Sequence, residues 1–176
     1  MAVIEGNVTL YQCRNLVRLK GITEIKGYLD LKDCEKFKDL GELKKIGRSL
    51  DLTGTSIESL GKLEYVGGDL DLSGTSIESL GNLKKVGGSI YSTNSSIKDL
   101  GELEYVGGGL YISNTLIEDL GELKIVKNDL YLNKTNIKNL GKLEIVQGRI
   151  FLNNSKITRE YVKEHKPELF SKCRWQ

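Results

Sequence analysis

Asp30, Asp51 and Asp71 each sit between two leucines, spaced 21 and then 20 residues apart, and Asp69 lies two places before the last of them. Carboxylates brought to about 5–9 Å from one another can act as acid and base on a glycosidic bond, or can steer a basic partner. Thr9 holds the same place earlier in the chain, and Tyr91, Tyr111, Tyr131 and Phe151 hold it further on. A row of such aromatics is rigid, amphipathic contact area of the kind protein interfaces favour. Nucleophilic and metal chemistry have less to draw on. The only histidine is His165, and the sequence carries no Cys-x-x-Cys pair, no phosphate-binding glycine loop and no Ser-His-Asp set. No catalytic residue, metal site or cofactor is assigned.

These residues recur because the chain itself recurs. "LDLSGTSIESLGNLKKVGGS" (residues 70–89) follows "LDLTGTSIESLGKLEYVGGD" (residues 50–69) and precedes "IYSTNSSIKDLGELEYVGGG" (residues 90–109). Short alternating segments begin at residues 8, 29, 50, 70, 90, 110, 130 and 150. A strict short period marks an array whose coils bury their apolar sides only by stacking. The alternating segments read as strands, giving one long parallel sheet of about eight coils and roughly 35 Å. Within a coil the apolar positions are Leu70, Leu72, Ile77, Leu80, Leu83 and Val86. The spacing of three after the strand suits turns or 3₁₀ geometry on the convex side better than an α-helix. Gly-Gly pairs such as 67–68 are turn residues. Position 74 is taken by Gly54, Asn94, Asn114 and Asn154 in sister coils, residues that tolerate the left-handed region, while Lys134 there is expected to be strained.

One column is polar: Cys13, Cys34, Thr55, Thr75, Ser95, Thr115, Thr135 and Ser155. An inward ladder of small donors would satisfy carbonyls of neighbouring coils. With this ladder the pattern "L-x-L-x-x-T-x-I", as in Leu70 to Ile77, resembles the leucine-rich repeat. The "V-x-G-x-L-x-L" run from Val66 to Leu72 is similar to the coils of receptor L domains. The resemblance covers roughly residues 8–157 and implies a right-handed solenoid; it implies no ligand, because such arrays serve many partners. Twenty residues is short for such a repeat, and receptor L domains are disulfide-bearing and secreted. Here three cysteines accompany a start, "MAVIEGNVTL", with no basic n-region. Reduced thiols in a cytoplasmic setting are expected, with Cys13 and Cys34 as ladder thiols that could also face one another for oxidation.

The solenoid is expected over residues 1–157 and a helical cap and tail over 158–176. Thr158 is the expected N-cap, and Leu169, Phe170 and Trp175 are expected to cover the last coil. His165 reads as a surface or cap residue, Cys173 has no evident role, and Val3 and Ile4 form a minimal lid at the other end. Lys44, Glu64, Lys84, Glu104, Lys124 and Glu144 alternate in sign coil by coil, which favours in-register stacking.

A net charge of +2 points neither to a nucleic-acid surface nor to an acidic mimic. No apolar stretch is long enough to cross a membrane. The expected function is a non-enzymatic protein-interaction module, acting as an adaptor or a stoichiometric inhibitor. Its contact residues are Asp30, Asp51, Asp69, Asp71, Tyr91, Tyr111, Tyr131 and Phe151, and its partner is a protein with a basic patch beside an apolar one. The Lys/Glu/Asn/Ile-rich composition suits a low-GC bacterium or its phage. The alternative is a carbohydrate-binding or carbohydrate-cleaving β-solenoid using the aspartate row, although that row lacks basic and histidine helpers. The hydroxyls of Thr53, Ser73 and Thr93 could form a flat array for carbohydrate or ice, but Asn133 and Asn153 interrupt it. Should the sheet face fail, the convex side near Tyr65, Tyr105, Ile125 and Ile145 is the next candidate.

Overall fold

A coil of this chain contains two short extended runs separated by a three-residue corner, and stacking turns each run into a sheet. In the computed structural model, which describes residues 2–175, the front sheet has nine strands. They are Val8–Thr9, Leu29–Asp30, Leu50–Asp51, Leu70–Asp71, Ile90–Tyr91, Leu110–Tyr111, Leu130–Tyr131, Ile150–Phe151 and Cys173–Arg174. The side sheet has eight strands: Ala2–Ile4, Ile22–Ile25, Lys45–Ile46, Tyr65–Val66, Lys85–Val86, Tyr105–Val106, Ile125–Val126 and Ile145–Val146. Every pairing is parallel, and from coil to coil it joins equivalent residues, such as Leu70 to Ile90 and Val86 to Val106, except for a one-residue slip between Ala2 and Val3 in the first side-sheet pairing. The early spacing of 21 leaves register intact, with Val8 opposite Leu29 and Leu29 opposite Leu50.

The chain is therefore a parallel β-solenoid with a repeat of 20 residues. The sequence predicts one sheet and a turning back side, and the side sheet is the difference. Tyr65, Tyr105, Ile125 and Ile145 are its outward residues, paired laterally with one another or with Lys45 and Lys85. A two-residue strand has too few residues to show an alternation, so it becomes visible only when the coils stack. The rest of each coil is a chain of turns, closed by bonds such as Leu83 N–H to Leu80 C=O at 3.2 Å.

Leu70, Leu72, Ile77, Leu80, Leu83 and Val86 are all fully buried and join one continuous core with their counterparts. Each such side chain contributes roughly 1.5–3 kcal/mol of gross burial energy. The hydroxyl column points inward as expected, but its bonds run within a coil. Thr55, Thr75, Thr115 and Thr135 Oγ1 donate to the carbonyl three residues back, at 2.7–2.8 Å. In this column the thiol of Cys34 instead crosses to the neighbouring coil, donating to Leu10 C=O at 2.8 Å. Cys13, Cys34 and Cys173 are free cysteines.

The charge column also differs in detail from the alternation expected. Among the described residues, Glu104 and Lys124 are the one pair within that column that bond to each other, at 2.8 Å. Flanking columns carry the rest, as in Lys62–Glu42, Lys142–Glu122, Lys98–Glu78 and Lys138–Glu118 at 2.6–2.9 Å. Lys124 holds the Glu104 carboxyl, and Lys138 that of Glu118, below the usual carboxylate range.

The two ends are unlike. At the C-terminal end Thr158 caps the helix Arg159–His165, its hydroxyl accepting the Tyr161 N–H at 3.1 Å. The 3₁₀ segment Pro167–Lys172 follows. Leu169 is buried, and Phe170 and Trp175 pack partly buried against the core. The segment then re-enters the front sheet as its ninth strand, so the tail is more than a helical cap. Cys173 is a buried residue of that strand, and burial pushes its thiol up to about 11. At the other end Val3 and Ile4 form a strand of the side sheet and not a lid. Ile4, Val8, Leu10, Cys13 and Leu16 are only partly buried there. Among the described residues no helix is long and apolar enough to cross a membrane.

Two measurements test this architecture. Lys134 has φ 55°, in a column where Asn94, Asn114 and Gly74 share the left-handed region. Lys134→Gly should therefore raise stability by about 1 kcal/mol in urea unfolding, since a β-carbon is unfavourable there. Thr75→Val keeps shape in a buried site, and Leu72 C=O retains its bond from the Thr75 N–H. The expected loss is about 1 kcal/mol; an unchanged midpoint would mean that the hydroxyl contributes nothing.

Candidate functional site

The outward residue of each front strand depends on the pleat, which sends its two neighbours inward. Leu50 and Leu52 go into the core, and Asp51 is left half-buried on the outer face. Stacking in register then sets Thr9, Asp30, Asp51, Asp71, Tyr91, Tyr111, Tyr131, Phe151 and Arg174 in one column. Seven of the eight residues expected from sequence to form a contact surface lie in it. Asp69, the eighth, lies two residues before Asp71, in the corner column beside it.

The aromatic part of the column is a continuous stack. Ring centroids are 5.0 Å apart from Tyr91 to Tyr111, 4.8 Å from Tyr111 to Tyr131 and 4.4 Å from Tyr131 to Phe151. The rings lie within 10–17° of parallel. Sheet spacing thus matches ring spacing, and the rings support the sheet as well as facing outward. The stack also explains Gly109: a Cβ there would meet Tyr111 Cε2 at 2.7 Å, so the ring lies over the bare backbone. Burial, and after it Tyr91, Tyr131 and Asp129, pushes the Tyr111 hydroxyl above its ordinary value. Burial and Asp129 do the same for Tyr131, whose hydroxyl donates to Asp129 Oδ2 at 3.5 Å. Both hydroxyls therefore remain protonated donors at neutral pH.

The acidic part has a local role that the repeat pattern does not reveal. Asp30, Asp51 and Asp71 each accept, through Oδ1, the N–H two residues on (Lys32, Thr53 and Ser73) at 2.9–3.0 Å. These Asx-type turns fix the chain as it leaves the strand. Asp69 works between coils, accepting the Ser89 N–H at 2.7 Å while its own N–H donates to Ser49 Oγ at 3.1 Å. Asn7, Ser89 and Asp129 continue this corner ladder, each accepting an N–H from the following coil. The carboxylates stacked at sheet spacing thus offset their repulsion with backbone bonds.

Two further residues belong to the face beyond those expected from sequence. Arg149 occupies the place of Asp69 in the corner column, and comparing coils position by position finds it. Arg174 follows no repeat, so only the ninth strand reveals that it lies opposite Phe151. With Asn133, Phe151 and Asn153 they line a groove of about 380 Å³ at the end of the stack. The Arg174 guanidinium donates to Ser171 C=O at 3.1 Å and Cys173 C=O at 2.9 Å. In the same part of the face Asn133 Oδ1 accepts the Asn153 N–H at 2.9 Å. Among the described residues, no cluster of His, Cys, Asp and Glu suited to a metal ion occurs.

The outer face is therefore acidic at one end, aromatic in the middle and basic at the other. The ion pairs of the described residues all lie off this face, although other charged residues such as Glu58, Glu64, Lys127 and Glu144 also belong to none. Ion pairs between coils, such as Lys98–Glu78 and Lys142–Glu122, cover the other sides. None of Asp30, Asp51, Asp69, Asp71, Arg149 and Arg174 belongs to an ion pair among the described residues. The turn bonds make a testable distinction. Asp51→Asn keeps the acceptor and removes a like charge, so its melting temperature should equal or slightly exceed that of the parent. Asp51→Ala removes the turn bond and should cost about 1 kcal/mol. No protein-family model matches the chain, and no curated protein matches its sequence.

Proposed function

We propose that this solenoid is a non-enzymatic protein-binding module whose contact surface is the outer face of the front sheet. The observation that carries the reading is the segregation of charge to the two ends of a continuous aromatic stack, with none of the ion pairs of the described residues on that face. Counter-charges for both ends must then come from solvent ions or from a partner, and a partner also covers the ring edges between them. A role as an adaptor or a stoichiometric inhibitor fits a single array that offers one such strip. Free thiols at Cys13, Cys34 and Cys173 suit a cytoplasmic setting. The leucine-rich-repeat likeness of the coil fits this use, since solenoid faces commonly serve as binding surfaces.

The arrangement weighs against carbohydrate chemistry on the same face. Sugars pack on the faces of aromatic rings, and here both faces of Tyr111 and Tyr131 and one face each of Tyr91 and Phe151 are taken up by neighbouring rings at 4.4–5.0 Å. The aspartates that would act as acid and base each hold a backbone N–H.

Affinity capture from the native host tests the proposal, comparing the parent, Tyr111→Ala with Tyr131→Ala, and Tyr65→Ala with Tyr105→Ala on the side sheet. Central interface aromatics cost about 2 kcal/mol or more each when truncated. The front pair should therefore weaken the captured interaction by roughly a hundredfold or more, while the side pair leaves it intact. Retained binding by a folded front variant would place the interface elsewhere, and loss by the side variant would move it to Tyr65 and Tyr105.

A further inference from the structure

The front face is complementary to itself. We propose that its partner is a second copy of this chain, packed face to face and antiparallel about a two-fold axis that passes between Tyr91 and Tyr111. This rests on the reading of the front face as a binding surface and names what covers it.

Charge and register carry the argument. From its first charged residue to its last the column runs Asp30, Asp51, Asp71, Tyr91, Tyr111, Tyr131, Phe151 and Arg174, with the uncharged Thr9 beyond Asp30 and outside the matched stretch. Reversing this order about its midpoint sets Asp30 of one copy opposite Arg174 of the other. Asp51 falls opposite Phe151, where Arg149, two residues before it, lies within reach of Asp51 and Asp69. Tyr91 falls opposite Tyr111. The symmetry makes the Asp30–Arg174 and Asp51–Arg149 contacts twice, so two of the four carboxylates at the acidic end of each face gain a guanidinium, while Asp71 faces Tyr131 and Asp69 lies across from Asp129. The opposite arrangement, with the two faces parallel, would set acid against acid and base against base.

The charges are free to serve in this way. Each row aspartate uses Oδ1 for its turn and leaves Oδ2 for an outside donor. Lys32 and Arg48 flank the acidic end and Asp129 the basic end, so the complementarity is strongest along the central column. The strip from Asp30 to Arg174 is roughly 34 Å long, and three outward columns span roughly 13 Å. That is about 440 Å² per copy, below the area usual for stable specific interfaces, so the dimer is a weak one that dissociates on dilution.

Sedimentation equilibrium from about 1 to 200 µM, at low salt and at 0.5 M salt, tests the proposal. The expected result is a mass that rises with concentration from 19.6 kDa to twice that value, with weaker association at high salt. Asp30→Arg alone and Arg174→Asp alone should each weaken association at least tenfold, by setting like charges opposite one another. Mixing the two single variants should restore it, because both ends of the resulting heterodimer again join an acid to a base. The double variant Asp30→Arg with Arg174→Asp should restore it too. Thermal melts of each variant separate lost association from lost folding, and Arg174, exposed at the edge of the sheet, supplies the milder of the two changes.

A parent that stays at the single-chain mass at 200 µM would overturn the proposal. Dimers that survive either single variant, or folded variants that mixing does not rescue, would do the same. The broader reading of the face fails separately: a monomeric parent whose captured partner is lost with Tyr111→Ala and Tyr131→Ala keeps the face as a binding surface and removes only the second copy.

Discussion

Lateral hydrogen bonding between residues one repeat apart governs everything else in this molecule. The N–H of Leu70 reaches the carbonyl of Ser89, and that of Ile90 reaches the carbonyl of Gly109, each across one coil boundary. Such bonds are satisfied only if successive coils have the same length and the same corners. The apolar columns gain their burial from the same condition, because Leu72 is covered by the coil above and the coil below. A single inserted residue would turn one coil's leucines outward. The spacing of 21 residues in the first two periods is tolerated because the extra residue is taken up outside the strands.

Register has a second effect: it makes every side chain a neighbour of its own equivalent. Whatever type fills a column is repeated at strand spacing, with its attractions and repulsions repeated too. Aromatics gain from this, and the stack from Tyr91 to Phe151 closes to 4.4 Å at its end. Charges do not gain, and the chain meets that problem in two ways. On the other sides the sign varies between coils and ion pairs form, as in Lys124–Glu104. On the front sheet like carboxylates are kept in a row, and Asp30, Asp51 and Asp71 are each given a backbone donor.

The period, the strand column and the inward hydroxyls were legible in the sequence because each is repeated six times or more with the same chemistry. The side sheet was not, since strands such as Lys85–Val86 and Tyr105–Val106 vary in their outward residue and are too short to show a pattern. The direction of the threonine bonds was hidden for a different reason. A hydroxyl at that position can reach a carbonyl of its own coil or of the next, and the turn geometry decides. The aspartate row was found, but its turn-forming role depends on the N–H two residues on, which composition does not reveal. Arg174 could not be placed at all from spacing, because the tail returns to the sheet after a helix and a 3₁₀ segment.

The near-identity of the coils starting at Leu50 and Leu70 bears on how such a molecule can change size. Any cut between coils exposes two surfaces of the same shape, so a whole coil can be lost or copied without a new junction being invented. Unequal exchange between the repeated stretches of the gene would do this in one step. The front face would then grow or shrink by one strand, about 4.8 Å, and the change could fall in the aspartate part or the aromatic part independently. The length of each zone is a whole number of coils, so related arrays would differ from this one by integral steps in where acid gives way to rings.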